Sequence, residues 1–361
     1  MAKHIFIGID LGDKNSVTRI AVDREKSERW TFVNNRSGRA RLFREAKRRS
    51  EQAGGAKIIM AYEASSCGFV LSDEAQAAGI ECWVLAPTKM EKSVEQRKHK
   101  NDDRDADDVV EKLRGHVLAG NRLPTVWVPD QQTRDDRELI RARLDLVEKQ
   151  TAMKAQIQML LKRHGVEKPS GLGAGWTVAY RRWLTGLSES ESLGWGSRQA
   201  LNSLIHQLTF IETEIERMEK PLEQLANEPR HQPFVEELTQ ECGVGRLTAL
   251  AYRTEIGYAG RFRRGRQVGK FVGLTPTSHE SGEQNDRKGH ISRQGPPRLR
   301  KMLCQASWVH IRHDAQARRM YQELVSRNPK KKKIALVAMM RRLAVRLWHR
   351  MRKIEMQCTE I

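Results

Sequence analysis

The chain is poor in aromatic residues, in cysteine and in long apolar runs, and each shortage excludes something. No stretch of its 361 residues reaches the roughly 18 consecutive apolar positions of a membrane-spanning helix, so no membrane partner is expected. The start MAKHIFIGID runs directly into a strand-like pattern, so no signal peptide is expected. The five cysteines (Cys67, Cys82, Cys242, Cys304, Cys358) are scattered, with no CxxC and no Cys/His ligand spacing. That pattern argues against a disulfide framework or a zinc site and for reduced thiols in a cytoplasmic protein. Acidic residues are also short, 45 against 65 Lys and Arg, for a net charge of +20.

The positive charge is concentrated. Between Arg261 and Lys353 there are 25 Lys/Arg and 5 Asp/Glu, so this segment holds the whole net charge and the rest of the chain is neutral. Such a segment is the electrostatic footprint of a polyanion binder, and binding through it falls with salt as counterions are released. The helices of the segment lack the aromatic-bearing amphipathic face that a membrane surface needs.

Three textures follow one another. Residues 1–128 read as a mixed α/β sheet. HIFIGID, SVTRIAVD and RWTFVN look like a meander, and SGRARLFREAKRRSEQ reads as a helix with Ser37 as its N-cap. AKIIMAYEA, CGFVLSDEAQAAG and IECWVLA then alternate strand, helix, strand, and DADDVVEKLRGHVLAG opens a further helix. Residues 129–230 read as a helical arm. Leu139, Leu146, Met153 and Leu160 fall at heptad spacing, and a second stripe runs from Leu201 to Leu225. This suits an antiparallel coiled coil or dimerising element, and equally two ordinary core-packing helices. Residues 231–361 read as all-α, with a helix–Gly243-Val244-Gly245–helix segment resembling a helix-hairpin-helix, a loop GLTPTSHESGEQNDRKGHISRQGPP, and basic helices entered through Lys330, Lys331 and Lys332.

Within this basic chain, KHKNDDRDADDVV gathers five aspartates in seven residues. Asp102 and Asp105 are three apart and share a helical face. Asp10 ends the first strand and Glu63 the fourth, so carboxylates from separate elements can converge at one sheet edge. Carboxylates brought that close raise one another's pKa unless a cation joins them. Hard divalent ions such as Mg2+ take oxygen ligands of this kind and can hold a phosphodiester undergoing cleavage. Asp103, Asp107 and Asp108 read more simply as first-turn charges that complement the helix dipole.

IGIDLG, AYEAS and KNDDRDADD, in this order, resemble the DEDD carboxylate set of RuvC-like (RNase H-like) nuclease domains. More narrowly, the chain resembles the DEDD transposases of bacterial insertion sequences, the bridge-RNA-guided recombinases, and it does so nearly end to end. CGVGRLTALAYRTEIG, RQVGKFVGLTPTSHESG and KGHISRQGPPRLRKML are similar to that family's C-terminal transposase domain, departing from its pattern at Pro296 and Cys242. The resemblance implies Mg2+ at Asp10, Glu63, Asp102 and Asp105, and a nucleophilic serine at Ser281. The residues alone do not privilege Ser281 over Ser278 or Ser292.

The serine and the carboxylates would together form a composite site that cuts and rejoins DNA through a phosphoserine link. Arg287, Lys288, Arg293, Arg298 and Arg300 follow the serine as candidate nucleic-acid contacts, with the three lysines at 330–332. The implied partners are a noncoding bridge RNA, target and donor DNA, and further copies of the chain, a dimer assembling to a tetramer, in a bacterial cytoplasm at the nucleoid. Two other readings fit the composition: a RuvC-like metal nuclease that resolves Holliday junctions without the serine, and a non-catalytic nucleic-acid scaffold.

Overall fold

The computed structural model describes residues 3–90, 102–173, 175–278, 288–327 and 329–359, with Asp102, Asp103, Ser278, Lys288, Cys358 and Thr359 as backbone only. These fall into two compact units, Met1–Val128 and Pro129–Ile361.

The first unit is built on a five-stranded sheet. Strands β1 (His4–Asp10), β2 (Asn15–Val22) and β3 (Glu28–Val33) form an antiparallel meander. Strands β4 (Lys57–Glu63) and β5 (Glu81–Leu85) add in parallel on the other side of β1, giving the order β3-β2-β1-β4-β5. HIFIGID takes the centre because it is apolar toward both faces, the pattern of a strand covered on both sides. Its odd positions Ile5, Ile7 and Ile9 pack with Met60, Tyr62 and Leu42 in one core. Phe6 packs with Ile59, Ala61, Val109 and Leu113 in another. Full burial of one such side chain contributes about 2 kcal/mol.

Helix α1 (Arg36–Gln52) links β3 to β4 and buries Leu42, Phe43 and Ala46. Its N-cap is Asn35 rather than the expected Ser37. Asn35 has extended backbone, and its side chain accepts the Gly38 N–H at 2.8 Å, while the Ser37 hydroxyl donates to the same Asn35 oxygen. Helix α2 (Val70–Ala77) ends before Gly79, whose φ of 73° stops it as expected. Helix α3 (Asp102–Ala119) contributes Val109 and Leu113 to the second core.

The second unit is mostly helical, in line with the sequence. Helix α4 (Gln131–Arg163) is capped by the Asp130 side chain, which accepts the Thr133 N–H at 2.7 Å. Helix α5 (Val178–Glu189) and helix α6 (Trp195–Arg217) pack with its C-terminal half through Ile157, Leu160, Leu184 and Leu201. The second apolar stripe is not one helix. It breaks at Met218 and resumes as α7 (Glu219–Ala226), because Pro221 has no N–H to offer the Arg217 carbonyl.

Helices α8 (Gln232–Thr239) and α9 (Arg246–Ile256) flank the Gly-Val-Gly turn, and α10 (Gly265–Phe271) follows. Helices α11 (Pro297–His313), α12 (Ala315–Arg327) and α13 (Lys332–Thr359) complete the unit. Its core surrounds Trp348, whose indole N–H donates to the Ala259 carbonyl at 2.9 Å. The all-α expectation needs one correction. The glycine- and proline-rich loop contains a two-stranded antiparallel hairpin, β6 (Pro276–Ser278) and β7 (Lys288–Ile291). Among the described residues no helix is long and apolar enough to cross a membrane, and Cys67, Cys82, Cys242 and Cys304 are free thiols.

Candidate active site

Asp10 and Glu63 are the last residues of adjacent parallel strands. The parallel register ends at the pair Ile9 and Tyr62, and Asp10 and Glu63 are the residues that follow these two in their strands. Period-two alternation places them on the face of Phe6, Gly8, Ile59 and Ala61, which α3 covers. Both are half-buried, and one Glu63 carboxylate oxygen is fully shielded from solvent.

Gly8 decides how α3 lies there. A Cβ at Gly8 would overlap the Ala106 carbonyl and sit 2.8 Å from the Val110 nitrogen, so only glycine lets the helix backbone come this close to β1. The far end of α3 is tied to the other end of the sheet. Arg114 donates to the Asp23 carbonyl at 2.8 Å, and the Asp23 N–H donates to the His4 carbonyl at 2.9 Å. With Ala106 over Gly8, the first turn of α3 therefore projects toward the Asp10 end of β1. Half-buried Asp105 stands in that turn, next to Ala106.

Asp107 takes another path. It accepts from the Ser27 hydroxyl and pairs with Arg19 at 3.2 Å, which fixes α3 to the sheet. Asp102 lies on the backbone of α3, and its side chain is outside the described residues. Among the described residues no three His, Cys, Asp or Glu side chains form a metal cluster. The donor set nevertheless suits a hard divalent cation: two carboxylates at neighbouring strand ends, a third in a helix held close by Gly8, and a shielded oxygen on Glu63.

Ser281 and Arg287 lie outside the described residues. They belong to the connection 279–287, whose ends are joined by the pairing of Ser278 with Lys288. The base of that hairpin is closely built. The Ser292 N–H donates to the Thr275 carbonyl at 2.9 Å, and the Thr277 hydroxyl to the His290 carbonyl at 3.0 Å. Gly295 has φ of 112°, and a Cβ there would strike the Phe271 carbonyl. Arg293 adopts a left-handed φ of 53°.

The basic candidates divide by their partners. Arg300 donates to the Val272 and Gly295 carbonyls at 3.1 and 2.9 Å, and burial lowers its pKa. Arg298 pairs with Asp145 of α4. Both are engaged by the protein itself. Lys330, Lys331 and Lys332 are exposed. The sequence reading passed over Gly8, although IGIDLG contains it; a glycine inside an otherwise apolar strand is the signal of a close backbone approach.

Comparison with known proteins agrees in both units. A DEDD-type transposase model of the IS110 group, described simply as transposase, matches residues 7–165, and the model for the transposase IS116/IS110/IS902 family matches residues 235–322. A putative transposase, y4qE, of Sinorhizobium fredii is 27% identical over 311 residues, 85% of this chain and 72% of that protein. A probable family 20 transposase of Pseudomonas aeruginosa is 27% identical over 299 residues, 80% of this chain and 82% of the relative. The transposase for insertion sequence element IS1111A of Coxiella burnetii is 28% identical over 239 residues, 65% of this chain and 61% of its own length.

Proposed function

We propose, for a chain that belongs to the IS110/IS116 transposase family and carries a DEDD transposase domain, that it moves a bacterial insertion sequence by an RNA-guided, serine-dependent recombination. As a transposase it is an enzyme that cleaves and rejoins DNA, and its DEDD domain points to divalent-metal dependence. The observation that carries the catalytic reading is the adjacency of Asp10 and Glu63 at the ends of two parallel strands, beneath a helix that Gly8 admits. The order of strands, three antiparallel and then two parallel with helices on both faces, supports a RuvC-like unit.

In this reading Asp10, Glu63, Asp102 and Asp105 hold Mg2+. An ion held there would supply charge neutralisation for a phosphodiester undergoing cleavage. Ser281 is the nucleophile. Its hydroxyl oxygen bonds to phosphorus, its proton passes to a base, and one sugar oxygen leaves. The phosphoserine ester keeps the phosphoryl group activated for rejoining. A noncoding bridge RNA pairs with target and donor DNA, so the protein grips backbone and shape while base pairing reads sequence. Two duplexes exchange strands, which calls for a homo-oligomer, a dimer assembling to a tetramer.

The test incubates the protein with RNA, DNA and Mg2+ and looks for a protein–DNA adduct stable to denaturant. The adduct is expected with the wild type and absent with Ser281→Ala. Cleavage that survives Ser281→Ala and is abolished by Asp10→Asn would sink the serine route in favour of a RuvC-like nuclease. Normal recombination by RNA-free protein would refute the guide.

A further inference from the structure

The neutral part of the chain hides a local excess of positive charge. Helix α1 carries seven Lys/Arg and two Glu. Some of this charge is engaged by the fold. Arg39 forms a bidentate pair with Glu74 at 2.7 and 2.9 Å, and Arg49 pairs with Glu45 and Glu28. Arg41, Arg44 and Arg48, the last also paired with Glu45, line an open groove of about 700 Å³ between α1 and the edge strand β3, together with Arg29 and Trp30.

Glu45 is the one carboxylate among the lining residues, and it already receives Arg48 and Arg49. Arg44 is exposed and forms no ion pair among the described residues. The Arg41 guanidinium stacks 5.0 Å from the centroid of the Trp30 ring and donates to the Thr31 carbonyl of the edge strand at 3.2 Å. Trp30 in turn stacks on Phe32, so its indole is held from behind by a core residue.

We infer that this groove binds a segment of single-stranded nucleic acid, with phosphates on Arg41, Arg44 and Arg48 and an unstacked base against the Trp30–Arg41 platform. Arginine-lined grooves with an aromatic ring suit single strands because every base offers a π-face, whereas the bases of a duplex are already stacked. The inference rests on the chain's handling of nucleic acid and is independent of the serine and of the metal ligands.

The experiment uses the full chain without divalent cation, so that no cleavage occurs. Fluorescent dT20, rU20 and a 20-base-pair duplex are titrated at several salt concentrations. Arg41→Ala with Arg44→Ala is expected to weaken single-strand binding about tenfold and to flatten the salt slope by about 1.4, two contacts at about 0.7 each. Trp30→Leu is expected to weaken single strands by about fivefold or more and to leave the duplex unchanged. Loss on dT20 alone, on rU20 alone or on both supports the groove and identifies the sugar it accepts.

A 4-thiothymidine- or 4-thiouridine-bearing strand should cross-link to the peptide containing Trp30. Wild-type affinity in folded variants, equal losses on strand and duplex, or cross-links confined to residues 261–353 would each overturn the inference. Should Trp30→Leu lower the melting temperature, Arg44→Ala alone decides, since Arg44 is exposed and forms no ion pair among the described residues.

Discussion

Gly8 ties two parts of the first unit together through an absence. The missing Cβ lets the α3 backbone lie on β1 and turns the start of that helix toward Asp10 and Glu63. Gly8→Ala should destabilise the protein by about 2 kcal/mol, the usual cost of overpacking a filled core, read by denaturant unfolding. It should also lower DNA cleavage more than DNA binding, because the helix that carries Asp105 must shift. Unchanged stability would mean that α3 yields easily there. The places of Asp10 and Glu63 at strand ends were legible from sequence, since an acid closing an apolar strand is conspicuous. The requirement at Gly8 was not, because it arises from a helix far along the chain. The N-cap shows the same limit on a small scale: Asn35 and Ser37 both suit a cap, and the backbone conformation chooses between them.

Helices carry their own constraints. Asp136 of α4, 4% exposed, accepts from Arg230 in a bidentate pair and from His231 Nε2 at 3.0 Å, which pins the start of α8 to α4. Removing it leaves two donors without their acceptor, so Asp136→Ala should cost about 3 kcal/mol in unfolding experiments. Burial lowers the pKa of His231 and outweighs the opposing pull of Asp136. A histidine whose folded pKa lies below its unfolded value contributes stability that is complete above the unfolded value near 6.5 and is lost as pH falls through the folded one. The difference in stability between pH 7.5 and pH 5 should therefore shrink in His231→Gln. Helix spans such as Gln131–Arg163 followed from periodicity. The break at Met218 did not, because the apolar stripe continues in phase while Pro221 interrupts the backbone bonds beneath it.

For the whole molecule the governing quantity is the net charge of +20. With six or more phosphates neutralised, affinity for duplex DNA should fall about 1,000-fold or more between about 50 and 200 mM salt. In the same assay a chelator should abolish cleavage and leave binding in place, with Mg2+ restoring activity. Full cleavage in excess chelator would exclude the carboxylate site. The basic C-terminal segment was legible because a count along the chain exposes it. The groove on α1 was not, because the excess of seven Lys/Arg over two Glu on that helix does not say which charges are paired, and only the fold separates engaged charge from presented charge.

That separation makes the seventeen residues of α1 answer to two masters. Leu42, Phe43 and Ala46 face the sheet, while Arg41 and Arg44 face the groove. As related chains drift apart, the first set should exchange only among residues of similar volume, in step with the strands beneath. The second set is free in shape but bound in sign, so Arg and Lys should replace each other there while acids stay rare. Two clocks, one of volume and one of charge, would then run at different rates along one helix.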